Sequence, residues 1–188
     1  PGRTQLVFVE TPANPALSLT DIAAVAAIPG PFTVVDSTFA TPVATRPLEL
    51  GADYAVHSLT KYIGGHGTTI GGVIVDSGKF NWAAHNERFA IMNNPDPSYH
   101  GVVYTQAMGA AAYIGRCRVV PLRNTGAALS PHSAFLIMQG LETLSLRMER
   151  HCENAEKVAQ HLQQHPQVNW VNYAGLADSP HRENSKKF

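Results

Sequence analysis

The chain predicts an α/β fold, with helices alternating around a largely parallel sheet. Three observations point there. The runs Leu6-Val7-Phe8-Val9, Phe32-Thr33-Val34-Val35 and Tyr54-Ala55-Val56 are short and apolar without clean alternation, as strands buried on both faces are. Segments carrying helix start and stop signals lie between them. Asn14, Asp36 and Lys61 each follow the end of one such run. Ligands of open α/β sheets bind outside the carboxyl ends of the strands, so three separate strand ends can face one crevice.

Taken in order, Leu6 to Val9 ends at Glu10-Thr11-Pro12, where proline cannot continue a ladder. Ser18 and Asp21 resemble a capping box and open a helix through Ile28, which Pro29-Gly30-Pro31 stops. The second strand ends at Asp36. A short helix near Pro47 to Leu50 closes at Gly51, and Tyr54-Ala55-Val56 then delivers Ser58 to Lys61. Gly71 to Val75 reads as a fourth strand, giving a doubly wound pattern. Beyond it the chain turns helical. Tyr104 to Arg118 is alanine-rich and stops before Pro121, and Ser130-Pro131 is an N-cap and first-turn pair. Leu144, Met148, Cys152, Ala155, Ala159 and Leu162 form the apolar stripe of a long helix ending near His165-Pro166. Val168 to Val171 alternates like a strand but has no visible partner. The expected division is a sheet domain over 1–140, a linking helix over 141–166 and the start of a further domain over 167–188. The opening on Pro1-Gly2-Arg3 and the abrupt polar end suggest an internal piece of a longer protein.

Composition sets outer bounds. The 188 residues are 44% hydrophobic, enough for a real core. Fourteen basic residues balance 14 acidic ones, which gives no electrostatic case for nucleic acid or an anionic membrane. No apolar run approaches the roughly 20 residues of a membrane-spanning helix. Cys117 and Cys152 are too few for a disulfide framework and fit a reducing, cytoplasmic setting.

Lys61 is the sharpest candidate. It ends His57-Ser58-Leu59-Thr60-Lys61 and precedes Gly64-Gly65-His66-Gly67, so hydroxyls, glycine backbone and a cation can converge on a phosphate. An amine able to form a Schiff base and a carboxylate for a pyridinium nitrogen are the groups a pyridoxal phosphate enzyme must supply, and Asp36 offers the second. Singly, each has an ordinary reading: Lys61 a solvated surface lysine, Asp36 a helix cap, Ser58 and Thr60 turn residues, Asn14 a turn former between prolines. The glycines at 64, 65, 67, 71 and 72 follow the lysine and lead into a strand, unlike a P-loop. His161 and His165 stand at i, i+4 spacing without an acidic third ligand, which reads as a solvated helix end rather than a metal site. Cys152 reads as core, and Arg147 and Arg150 as flanking residues pairing with Glu149 or Glu153.

Together the segments Glu10-Thr11-Pro12-Ala13-Asn14-Pro15, Val35 to Pro42 and His57 to His66 resemble, in order, the signatures of the Cys/Met-metabolism pyridoxal phosphate enzymes. Within that family Pro95 to Gly101, Tyr113 to Arg116, Gly140 to Leu144 and Arg147 to Asn154 are most similar to the O-acetylhomoserine sulfhydrylases. The resemblance implies a fold type I, aspartate aminotransferase-like large-domain core, incomplete here, with the long linking helix. It also implies pyridoxal phosphate held by Lys61, paired with Asp36 at the ring nitrogen, with Asn14 at the ring oxygen and with Ser58 and Thr60 at the phosphate. The implied reaction is a γ-replacement that turns O-acetylhomoserine and sulfide into homocysteine and acetate, for methionine biosynthesis. A γ-lyase or a cystathionine γ-synthase could use the same site, and a non-catalytic fragment is the reading from another class. Relatives assemble as homo-oligomers, dimers of dimers. Ser37 stands where relatives commonly carry asparagine. Groups expected from the preceding and following parts of such enzymes are missing from this sequence, which predicts poor activity for the piece alone.

Overall fold

The computed structural model describes residues 3–187; Pro1, Gly2 and Phe188, which the expected outer bounds include, lie outside them. Strands β1 (Leu6–Glu10), β2 (Phe32–Asp36), β3 (Tyr54–Ser58) and β4 (Gly72–Asp76) form one sheet in that order. The β1–β2 and β2–β3 pairs are parallel, and β3–β4 is antiparallel. The α/β class therefore holds, but the strand order is sequential rather than doubly wound. The fourth strand runs backward: residues 59–71 form only the Lys61 turn and irregular chain, with no helix to carry the backbone across the sheet face as a parallel return usually requires.

Alternation along each strand sorts side chains to two faces. Phe32, Val34 and Tyr54 meet Trp82, Phe89, Met92 and Tyr104 on one side. Val35 meets Ile22, Ala52, Val9 and Leu50 on the other. Apolar residues at both parities thus pack, which is why the runs lack a polar alternate.

The helices differ from expectation in instructive ways. α1 (Ile22–Ala26) is shorter than expected, and Asp21 is itself the N-cap, accepting from the Ala24 N–H at 3.2 Å. α2 (Thr41–Ala44) follows β2, while Pro47 to Leu50 forms a hydrogen-bonded turn instead of a helix. α3 (Ala90–Asn93) and α4 (Tyr104–Met108) precede α5 (Ala112–Cys117); Gly109, at φ 52°, breaks the expected single helix between the last two. The chain then passes Pro121 in a π-helical turn, Arg118–Leu122, and α6 (Arg123–Thr125) ends at Gly126. The wider turn accommodates a proline that would clash in an α-helical register.

α7 (Pro131–Glu142) has Ser130 as its N-cap, accepting from the Ser133 N–H at 3.1 Å, and α8 (Leu144–Gln163) follows at once. Leu144, Met148 and Ala159 of the α8 stripe are buried, but Cys152, Ala155 and Leu162 are exposed, so Cys152 is not core. Val168 to Val171 forms no strand: among the described residues nothing pairs with it, and Trp170 stays 78% exposed. α9 (Arg182–Ser185) closes the described chain. No described helix is long and apolar enough to cross a membrane.

Candidate functional site

A cleft of about 810 Å³ opens where β1, β2 and β3 end, with Glu10, Asp36 and Ser58 on its wall. Asn14, from the loop after β1, and Lys61, from the turn after β3, line it too. Four of the five residues expected to act together are thus brought to one space. The fifth, Thr60, does not line it. Its Oγ1 accepts from the Gly71 N–H at 3.1 Å and lies 3.4 Å from the Gly71 carbonyl, so its hydroxyl closes the mouth of the β3–β4 pair.

The wall is built by polar bonds between strand ends. Asp36 Oδ1 accepts from the Thr38 N–H at 2.9 Å, which fixes the carboxylate's rotation. Its other oxygen has no hydrogen bond among the described residues. Thr38 Oγ1 in turn accepts from the Ser58 N–H at 2.8 Å, stitching the end of β2 to the end of β3. Beneath them His57 is buried, with Nδ1 3.1 Å from the Ser37 carbonyl oxygen. A carbonyl only accepts, so Nδ1 carries the proton. Burial pushes the His57 pKa below its ordinary 6.5, against the smaller upward pulls of that carbonyl and the Asp36 charge. Ser37 is fully buried, and its Oγ has no hydrogen-bond partner among the described residues.

The Lys61 turn is tightly wound. The Gly64 N–H donates to Leu59 O at 2.9 Å, and the Gly65 N–H donates to Lys61 O at 2.8 Å. Gly65 and Gly67 adopt φ of 75° and 63°, where a side chain would be strained. Lys61 itself is exposed, and among the described residues neither it nor Asp36 has an ion-pair partner. Both charges remain available to a ligand.

Sequence reasoning missed part of the lining. Phe39 and Tyr62 meet edge-on at 6.0 Å, and Tyr62 also packs on His151 at 5.3 Å, giving one side an aromatic wall. Arg150 pairs with Glu153 at 3.0 Å, as its helical spacing suggests. Arg147 does not pair with Glu149 or Glu153. It turns inward, donating to Tyr62 O at 2.7 Å and to Gly140 O at 2.7 Å. Its signal was its place one residue before Met148 on the apolar stripe, which puts it at the edge of the buried face.

A primary amine, a carboxylate with a free oxygen, an amide and a hydroxyl thus share a cleft with a glycine turn and an aromatic wall. The amine can condense with an aldehyde, and the carboxylate can hold a cationic ring nitrogen. Among the described residues no group of three or more His, Cys, Asp or Glu side chains is placed to hold a metal ion.

The family model described as Cys/Met metabolism PLP-dependent enzyme matches residues 1–188. A homocysteine synthase of Schizosaccharomyces pombe is 49% identical over 98% of this chain and 44% of its own length. An O-acetyl-L-homoserine sulfhydrylase of Leptospira meyeri is 46% identical over 99% of this chain and 44% of its own length. A crystal structure of a putative O-acetylhomoserine (thiol)-lyase from Campylobacter jejuni, containing a pyridoxyl-lysine monophosphate, superposes with a TM-score of 0.89 at 37% identity. That match covers 100% of this chain and 46% of that one. The chain therefore spans less than half the length of these relatives.

Proposed function

Because the chain belongs to the Cys/Met metabolism family of PLP-dependent enzymes, we propose that its cleft is the pyridoxal phosphate side of an active site that makes homocysteine. The observation carrying this is the meeting of Lys61, Asp36, Asn14 and Ser58 in one cleft, with Asp36 already oriented by Thr38. The donors suit the group: Lys61 Nζ would hold its aldehyde carbon, Asp36 its ring nitrogen, Asn14 its ring oxygen and Ser58 its phosphate. Thr60 would join Ser58 only by turning its hydroxyl away from Gly71. When bound, pyridoxal phosphate supplies an electron sink for negative charge developing on the substrate. Asp36 keeps that sink cationic through its own charge. Lys61 Nζ, once displaced by the substrate amine, would take the proton from the substrate α carbon, pass it on, and then take one from the β carbon so that acetate can leave the γ carbon with its bonding pair; a proton would return to the β carbon after sulfide adds.

The names of the relatives support O-acetylhomoserine as the amino-acid substrate and a γ-replacement by sulfide that releases acetate. The same reading takes 1–140 as part of the cofactor-binding domain, 141–166 as the link and 167–188 as the start of a further domain. A homo-oligomer of dimers and a cytoplasmic location belong to it as well; the two free cysteines suit the latter.

Borohydride reduction in the presence of pyridoxal phosphate tests the assignment. The peptide bearing Lys61 should gain the mass of the reduced adduct, and Lys61→Ala should gain none. An adduct confined to another lysine would overturn it. Homocysteine formed from O-acetylhomoserine and sulfide, without α-keto acid release, separates replacement from γ-elimination.

A further inference from the structure

Arg147 lies in the first turn of α8, half-buried at the edge of the cleft. A guanidinium offers five N–H donors in a planar fork. Here Nε donates to Thr143 Oγ1 at 3.1 Å, Nη1 to Tyr62 O at 2.7 Å, and Nη2 to Gly140 O at 2.7 Å and Ile63 O at 3.4 Å. Tyr62 and Ile63 directly follow Lys61. Gly140 is near the end of α7, where carbonyls lack helical partners and a cation is favoured. Among the described residues no carboxylate pairs with Arg147, so neutral acceptors, three carbonyls and the Thr143 hydroxyl, meet its charge.

Two glycines make the arrangement possible. A Cβ on Gly65 would stand 2.8 Å from Arg147 Cζ, and one on Gly140 would stand 2.0 Å from Gly64 O. The turn and the two helices therefore close on the guanidinium from three sides. An ordinary surface arginine needs no such clearance.

We propose that Arg147 is a positioning residue for Lys61: its guanidinium clamps the backbone just after the lysine to the α7–α8 junction, so that Nζ is presented to the cofactor in one geometry. The proposal rests on reading Lys61 as the cofactor lysine. A lysine at 147 cannot replace the fork, because one ammonium does not span carbonyls of the turn and of α7 together.

Arg147→Met, Arg147→Lys and Ala159→Gly are to be compared by hydrogen exchange of the Gly64 and Gly65 amides and by the affinity for pyridoxal phosphate trapped on Lys61. Ala159→Gly weakens the same helix further along, away from the turn. At equal distance below each melting temperature, both Arg147 variants should exchange about tenfold faster at Gly64 and Gly65 and bind the cofactor about tenfold more weakly. Ala159→Gly should match wild type in both. A merely structural role predicts that all three variants behave alike at that matched distance, and this result would overturn the proposal. Unchanged exchange in Arg147→Met would overturn it too. If wild type forms no adduct on Lys61, the cofactor reading fails, and the exchange measurement still decides whether Arg147 orders the turn.

Discussion

Gly140→Ala sets two physical effects against each other. Gly140 lies inside α7, where alanine is favoured over glycine by about 1 kcal/mol. Propensity alone therefore predicts a stabilised protein. Packing predicts the reverse. The new Cβ would lie 2.0 Å from Gly64 O, 2.6 Å from Gly64 C and 2.8 Å from Ile63 O, all backbone atoms that cannot rotate away. Ordinary contact begins at 3.4 Å, so α7 or the turn has to retreat by about 1.4 Å. That movement pulls Ile137 from the cluster it shares with Ile63, Leu144 and Met148, and draws Gly140 O away from Arg147. Overpacking of this kind costs about 3 kcal/mol, and the helix gain offsets about 1. The net loss of about 2 kcal/mol lowers the melting temperature by roughly 4–8 °C in a chain of this size. Cofactor binding at Lys61 should weaken with it, because the displaced turn carries the lysine. Thermal melts followed by circular dichroism decide the matter. An unchanged or raised melting temperature would refute the close approach of α7 to the turn.

Two further outcomes follow from the strand-end bonds. Asp36→Asn keeps an oxygen for the Thr38 N–H, so stability should stay within about 0.5 kcal/mol of wild type. Pyridoxal phosphate should nevertheless bind about tenfold more weakly with the charge gone; a variant that binds it as tightly as wild type would remove Asp36 from the site. His57 sets a pH dependence. Its folded pKa lies below 6.5 because burial disfavours the charged ring, so the folded protein holds fewer protons on it than the unfolded chain does. Its contribution is complete above pH 6.5 and is lost as pH falls through the lowered value. Burial raises Asp53 and Asp76 above 3.8, which acts with the opposite sign, their contribution being lost as pH rises through the raised values. Urea midpoints measured downward from pH 6.5 should fall for wild type and fall less for His57→Gln. Parallel curves would exclude His57 as the source.

What could be read from the sequence divides along physical lines. Strand cores were legible because Leu6 to Val9, Phe32 to Val35 and Tyr54 to Val56 are apolar and of strand length. That Asn14, Asp36, Ser58 and Lys61 share one cleft was legible because each lies at or just after a strand end, and parallel neighbours place such ends side by side. The direction of β4 was not, since a glycine turn does not announce whether the chain reverses. Thr60 illustrates a second limit. A hydroxyl beside a lysine can face a ligand or close a ladder, and only the pairing of Gly71 with the end of β3 chooses. Arg147 illustrates a third. Its partners are main-chain carbonyls of Tyr62, Ile63 and Gly140, and carbonyls are identical in every residue. Charge pairing, the signal available from sequence, pointed to glutamates it does not touch.

Register is where the fold and the site become one problem. In a strand buried on one face, hydrophobic alternation fixes register, because a one-residue slip exposes the core set. Here both faces of β2 are apolar, with Val34 and Val35 each packed, so a slip would cost less in burial than usual. Polar bonds between β2 and the chain around β3 supply what alternation does not. Asp53 Oδ2 accepts from the Thr33 N–H at 2.8 Å at the start of the pair. Thr38 accepts from Ser58, and His57 donates to Ser37, at its end. A slip breaks all three and leaves half-buried or buried groups unpaired, at about 1–3 kcal/mol each. These pins hold Asp36 opposite Val56 and bring Ser58 and the Lys61 turn alongside. The bonds that choose the register of the sheet are thus the bonds that set carboxylate and amine on one cleft.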